Sequence, residues 1–206
     1  MDKLIQYSTG FWSRIRKRFL LARGAVIPGA VRLGKIEVPR NAWAFQLENG
    51  VALDNGVVLL FTDASQAGRG PYVIIRENVY VNRYTVIDAS THLEIGRDTM
   101  IGPHCYITDH DHGFSIGERP GHTDLVISPT KIGERCWLGA GVIVLKGVEI
   151  GSGTVVAAGA VVTRSLPEGV VAAGVPARII KSIEEDKPAR VTIIPNRHRA
   201  VIPSKL

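Results

Sequence analysis

Two histidines stand two residues apart in a polar run, Thr108-Asp109-His110-Asp111-His112-Gly113-Phe114, and each follows an aspartate. A neutral imidazole, with an unperturbed pKa of about 6.5, accepts a proton near neutral pH, and a carboxylate on its second nitrogen fixes the tautomer that does so. Asp109 and Asp111 are both placed to supply that carboxylate. The chain also carries His92, His104 and His122, and three convergent histidines are what an open catalytic zinc site requires. A loop rich in His, Asp and Gly is, more simply, a solvated connection. On residue types alone that plain reading stands first, so the scaffold from which the run emerges has to be read next.

That scaffold is a repeat. Ile132, Leu138, Val144, Ile150, Val156 and Val162 fall six residues apart, and Gly133, Gly139 and Gly151 follow three of them directly. Two residues before each next aliphatic comes a modest side chain: Cys136, Val142, Val148, Thr154 and Ala160. A period of six matches neither an amphipathic helix nor an alternating strand. It suits a coil of three faces, in which each hexad is a short strand with its aliphatic residue inward and the next Gly takes the corner. Three hexads make one turn, and turns stack at about 4.8 Å, each pairing only with its neighbours. Upstream, Val81, Ile87 and Leu93 keep one phase of six, whereas Ile95, Ile101 and Ile107 keep another shifted by two. A corner insertion near Ala89 to His92 would absorb the shift. Between Ile107 and Ile132 lie 25 residues, one more than four hexads, so a loop of about 109–131 leaves the coil, and the histidine run is in it.

Ile132-Gly133-Glu134-Arg135-Cys136-Trp137-Leu138-Gly139, then Gly147-Val148-Glu149-Ile150-Gly151, Ala157-Ala158-Gly159-Ala160-Val161-Val162-Thr163 and Ala173-Gly174-Val175-Pro176-Ala177-Arg178 resemble the hexapeptide-repeat O-acetyltransferases. The nearest likeness is to the sugar and polysaccharide enzymes similar to galactoside and maltose acetyltransferases, over about Arg76 to Lys181. The resemblance implies an all-β solenoid, a left-handed parallel β-helix, closed as a homotrimer with acetyl-CoA as co-substrate bound between subunits. It implies O-acetylation of a sugar hydroxyl in surface-polysaccharide or lipopolysaccharide biosynthesis, with N-acetylation of an amino-sugar nucleotide as the alternative.

The resemblance also assigns residues. Counting five from Ile107, or 17 from Ile95, puts the family's catalytic base at His112, with His110 two short. Glu77-Asn78-Val79-Tyr80-Val81-Asn82 is similar to the segment that supplies an acceptor-binding Asn, here Asn82, although the family's second Asn is replaced by Arg83. Trp137 falls on the acceptor side; Asp88 and His110 are further candidates there, and for Asp88 a corner residue satisfying loop backbone groups is the preferred reading. Ala140 and Ala158 match positions along the pantetheine arm, Thr163 and Arg164 a Thr-Lys pair further on, and Arg178 and Lys181 cations beside the coenzyme phosphates. The γ-class carbonic anhydrases share the coil, but two of their three zinc-binding histidines are separated by four residues, a spacing absent here; no metal is expected. A non-catalytic hexapeptide scaffold would have no use for the run from Ala157 to Arg178.

The rest of the chain fits one domain with two appendages. With 206 residues, 45% apolar, 22 Gly and 6% aromatic, it can bury one aliphatic core with many tight turns. Cys105 and Cys136 both occupy small inward positions and are expected as buried thiols. Residues 1–23, with Leu4, Phe11, Trp12, Ile15, Phe19 and Ala22 at spacings of three, four or seven, read as an amphipathic basic helix. Its apolar face is expected on the coil or a neighbouring subunit, with contact to an anionic membrane as the sharper alternative. The coil itself is placed at 24–176, beginning with degenerate turns, and 177–206 as a short helix, Ala177 to Lys187, followed by a tail. The formal charge of +6 is concentrated at the ends, +5 in 1–23 and +5 in 187–206, leaving −4 between them. That distribution speaks against a nucleic-acid groove, which clusters cations across the folded face. No spanning segment or cleavable leader is evident, so the cytoplasm is expected, with peripheral contact at the membrane's inner face.

Overall fold

The computed structural model describes residues 2–38, 40–62, 70–117, 119 and 124–183, with the backbone alone at 2–9. Helix α1 spans Asp2–Ala22. The strands follow as β1 (Arg32–Leu33), β2 (Phe45–Leu47), β3 (Ala52–Leu53), β4 (Val58–Phe61), β5 (Val73–Ile75), β6 (Tyr80–Val81), β7 (Val86–Ala89), β8 (Leu93–Ile95), β9 (Met100–Ile101) and β10 (Tyr106–Thr108). Then come β11 (His110–His112), β12 (Leu125–Ile127), β13 (Thr130–Ile132), β14 (Trp137–Leu138), β15 (Ile143–Val144), β16 (Glu149–Ile150), β17 (Val155–Val156), β18 (Val161–Val162), β19 (Val170–Ala173) and β20 (Arg178–Ser182). From β2 to β18, β11 and β12 apart, the chain visits three sheets in fixed rotation. The first holds β2, β5, β8, β13 and β16; the second runs from β1 through β3, β6, β9, β14 and β17 to β19 and β20; the third holds β4, β7, β10, β15 and β18.

The hexad dictates this path. Ile132 pairs in register with Ile150, Leu138 with Val156 and Val144 with Val162, all in parallel, and all six are fully buried. Each stacked aliphatic removes its side chain from water, worth about 1.5–3 kcal/mol per residue. The glycines divide the corner work between two positions. Gly133 lies under the next turn, where a Cβ would come 2.7 Å from the Ser152 nitrogen, whereas the left-handed backbone belongs to Gly141, Gly147, Gly153 and Gly159, two residues further into each corner. Close approach is therefore the reason for the Gly after the aliphatic, and positive φ the reason for the other. The two thiols are buried as expected, and each donates to a corner carbonyl, Cys105 to Gly139 and Cys136 to Gly151, both at 3.2 Å.

The two-residue shift lies where it was sought. Ile75 pairs with Ile95 and Val81 with Ile101, and the extra residues form the corner Ser90-Thr91-His92 between β7 and β8. The early segment is coil as well: Val26 bridges Gln46, β1 pairs with β3, and Glu37 bridges Val58, so the first turn uses all three faces. The stretch Gln66–Pro71, whose two Gly and one Pro read as a loop, falls mostly outside the described residues.

The two open ends of the coil are closed differently. At the start, α1 lies on the edge of β1: the Ser13 hydroxyl donates to the Val31 carbonyl at 3.1 Å and accepts from the Leu33 N–H at 2.8 Å, taking the place of a missing strand. At the far end the expected short helix from Ala177 is instead β20, antiparallel to β19. Ile179, Ile180 and Ile183 are exposed and β-branched, and the unpaired edge of β19 offers N–H and C=O groups that a strand satisfies and a helix does not. The proposed tail lies outside the described residues.

Candidate active site

A groove of about 480 Å³ runs along the edge where the second sheet turns into the third. Asn82, Trp137, Ala140 and Ala158 all line it, with Met100, Pro103 and Val155. The repeat explains the assembly. Tyr80, Met100, Trp137 and Val155 are register partners on successive turns, each standing just before an inward aliphatic and so facing out. Ala140 and Ala158 follow the corners of adjacent turns, where the Gly159 N–H donates to the Ala140 carbonyl at 2.8 Å. Small residues leave room for an extended chain, and Trp137, half exposed, forms a wall. The Asn82 carboxamide oxygen accepts the Arg83 N–H at 2.7 Å, so it also holds its own corner. Met100, Pro103 and Val155 were not anticipated, although pairing each with Trp137 or Ala140 across one turn would have found them.

The histidines sit on a hairpin. Strands β11 and β12 pair antiparallel, His110 opposite Ile127 and His112 opposite Leu125, and leave the coil between Thr108 and Thr130. Asp109, fully buried at its root, accepts from the Ser90, Thr91 and His92 N–H groups at 2.7–2.8 Å. It thereby ties the hairpin to the corner created by the phase shift. Asp109 also meets His110 Nδ1 at 3.1 Å, and the Thr108 hydroxyl lies 3.3 Å from the same nitrogen. His110 Nε2 faces Asp88 Oδ1 at 4.0 Å. The Asp109 hydrogen bond raises the His110 pKa above the ordinary 6.5; burial opposes this, and the charges of Asp88, Asp109 and Asp111 reinforce it. Tyr106 donates to the other Asp88 oxygen at 3.1 Å, and burial, with the Asp88 charge, pushes its phenol up. Asp88 is thus not a corner residue serving loop backbone: it lies in β7, and its buried Oδ1 has no hydrogen-bond partner.

His112 differs from His110 on each count. It is exposed on the outer part of the hairpin, while His110 is 7% exposed. Of the two aspartates that could have oriented it, Asp109 is committed to His110, and Asp111 pairs with Lys146 on the next turn. The hairpin leaves at the edge where the third sheet turns into the first, so the third sheet separates it from the groove of the same chain. The remaining sequence candidates divide the same way. Arg178 opens β20 beside Ala177, whose N–H donates to the Val161 carbonyl, and so continues the groove edge. Lys181 pairs with Val171 and is exposed. Thr163 and Arg164 follow β18 at the hairpin's edge, exposed, away from Ala140 and Ala158. Among the described residues no three His, Cys, Asp or Glu side chains are grouped to hold a metal ion.

Comparison with known proteins agrees with this architecture. Residues 129–164 match the model of the bacterial transferase hexapeptide (six repeats). The chain is 43% identical over 127 residues to WbbJ of Escherichia coli K12, a protein named for lipopolysaccharide biosynthesis O-acetyl transfer, covering 58% of this chain and 64% of WbbJ. It is 34% identical over 117 residues to the galactoside O-acetyltransferase of the same organism, covering 56% and 57%. The chain therefore spans less than two thirds of the curated relatives it matches. Among solved structures, a variant of AntD, an N-acyltransferase from Bacillus cereus in complex with dTDP and coenzyme A, superposes with a TM-score of 0.71 at 21% identity, over 82% of this chain and 89% of that one. At that identity the likeness is one of fold. In its repeat, its three-sheet coil and these relatives, the chain is similar to the hexapeptide-repeat transferases.

Proposed function

We propose that the protein transfers an acetyl group from acetyl-CoA to a hydroxyl of a sugar or glycan, in the cytoplasm, in the making of a surface polysaccharide. The observation that carries this reading is the groove, which Asn82, Trp137, Ala140 and Ala158 line from three turns of the coil. The coil is left-handed, as in the family. The pantetheine arm lies along Ala140 and Ala158, and Arg178 and Lys181 meet the phosphates; the names of WbbJ and the galactoside enzyme support oxygen as the attacked atom. N-acylation of an amino-sugar nucleotide is the second reading, supported by the coil shared with AntD.

Chemistry and geometry together call for more than one chain. The hairpin and the groove lie at different edges, and the outer faces of the second and third sheets carry rows of apolar residues, Met100, Trp137 and Val155 on one and Val58, Val86, Ile143 and Val161 on the other. The first sheet instead presents Gln46, Glu94, Lys131 and Glu149. A closed trimer would set each hairpin on a neighbour's groove and leave the polar faces in water.

In that setting His112 is the general base. Its imidazole takes the proton of the acceptor hydroxyl while the oxygen attacks the thioester carbonyl carbon; the carbon–sulfur bond breaks, and the proton passes to the departing coenzyme A thiolate. His110, buried and held by Asp109 with Asp88 beside it, is read instead as the residue that positions the hairpin. Coenzyme A release measured over a panel of sugars and sugar nucleotides tests the proposal. Acceptor-dependent release supports it; coenzyme A binding without release for any hydroxyl acceptor, beside release with an amino sugar, favours the second reading.

A further inference from the structure

Helix α1 is attached to the coil by its polar side. Ser13 is buried against Val31 and Leu33, Arg16 donates to the Leu33 carbonyl at 3.2 Å, and Lys17 to that of Gly29 at 2.5 Å; Leu20 is the buried apolar exception. The apolar side faces away. Phe11, Trp12, Ile15 and Phe19 are 55%, 54%, 40% and 60% exposed. Their spacing of four, with Trp12 beside Phe11, makes one stripe down the helix. The expected packing of this face on the chain's own coil is therefore not what the fold uses. It could not be: the edge of β1 presents bare backbone carbonyls and N–H groups, and those need donors and acceptors.

We propose that this stripe is a docking surface for an anionic lipid bilayer, on which α1 lies flat. Charge selects the occupant. Arg14 and Arg18 are exposed between and beside the aromatic residues, and residues 1–23 hold six Lys and Arg against one Asp. Cations interleaved with aromatic rings bind acidic headgroups while the rings enter the interfacial layer. Arg23 lies 5.2 Å over the Phe19 ring, showing that this face already pairs guanidinium with aromatic surface. A second copy of the same face would bring like charges together as its rings packed. The helix is also not apolar enough to cross a membrane, so the geometry is that of a surface helix. Because α1 covers the end of the coil, binding would hold the solenoid end-on to the bilayer.

The test is flotation of the full-length protein with vesicles of neutral phosphatidylcholine, and with vesicles containing about 30% phosphatidylglycerol. The protein should float with the anionic vesicles alone. Phe11→Ser with Phe19→Ser should abolish flotation, and Arg14→Ser with Arg18→Ser should weaken partitioning by roughly twenty-five-fold, at a factor of about five for each cation. Quenching of Trp12 fluorescence by brominated chains should accompany binding. All four side chains are exposed, so the variants should keep the parent's circular dichroism and sedimentation. Absence of flotation on anionic vesicles overturns the proposal, as does flotation unchanged by both pairs of substitutions. Dissociation of the oligomer by the Phe pair would also overturn it, by assigning the stripe to a second copy.

Discussion

The regular coil from Thr130 to Val162 and the hairpin that interrupts it before Thr130 are built on opposite principles. In the coil the principal inward position of each hexad is aliphatic, the smaller one takes Cys136, Val142, Val148, Thr154 or Ala160, and a residue's place follows from counting by six. Its surface is a groove of small and apolar side chains with little chemistry of its own. In the hairpin and its root nearly every buried side chain is polar: Thr108, Asp109, His110 and Thr130 hydrogen-bond one another or the corner at Ser90–His92. The difference teaches where this molecule can place a titratable group. Between Thr130 and Val162 the titratable side chains other than the Cys136 thiol lie outside the core, and the buried Asp109 and His110 enter where the repeat is broken. The break at Ser90–His92 anchors the break at 109–129.

The comparison breaks first at Asp109. Asp109→Ala leaves three backbone N–H groups without an acceptor in a dry corner and should cost on the order of 3 kcal/mol or more, since each unsatisfied donor costs about 1–3 kcal/mol. Urea unfolding measures it; a change within experimental error would mean that the hairpin is not anchored there. In the coil the largest local effect should come from Gly151→Ala, whose methyl would come 2.3 Å from the Glu168 nitrogen and cost about 1–3 kcal/mol by overpacking. A neutral result would show that adjacent turns can part by a few tenths of an ångström.

A finer test bears on the groove. Charge-assisted contacts to phosphate contribute about 1.5–3 kcal/mol each, so Arg178→Ala with Lys181→Ala should weaken coenzyme A binding at least tenfold in calorimetry while leaving the unfolding midpoint unchanged. The smallest effect concerns the hairpin's charge. Because the folded pKa of His110 is raised above 6.5, its contribution to stability is fully present below the unfolded value and is lost as pH rises through the folded one. His110→Gln should therefore destabilise the protein more at about pH 5.5 than at about pH 8.5. Equal loss at both would mean that His110 is held as a neutral ring.

Legibility followed the same division. Ile132 to Val162 could be placed inward from the sequence because one rule governs each of them, and the two-residue slip from Leu93 to Ile95 correctly located an insertion at the corner after Ala89. The groove residues Trp137, Ala140 and Ala158 came with the resemblance and do share an edge, since hexads on successive turns stack. Asp109 does partner a histidine, His110, but its second task as an anchor was not legible, because its three backbone donors lie 17–19 residues earlier and nothing local announces them. The strand β20 was read as a helix because Ile179, Ile180 and Ile183 suit both spacings, and only the open edge of β19 decides. Helix α1 was recognised by its period, yet which side it turns to the coil depends on the backbone edge beneath it rather than on its own hydrophobic stripe.

In the reaction proposed above the exposed histidine, not the buried one, takes the acceptor's proton. Turnover of His112→Ala and His110→Ala with one acceptor, beside their coenzyme A affinities, tests it most directly. General-base catalysis contributes a factor of about 10² to 10⁴, so the His112 variant should lose a factor in that range with coenzyme A affinity unchanged, and the His110 variant should lose less. Near-normal turnover in the His112 variant, with collapse in the His110 variant at intact fold and affinity, would contradict the claim and make His110, oriented by Asp109, the base.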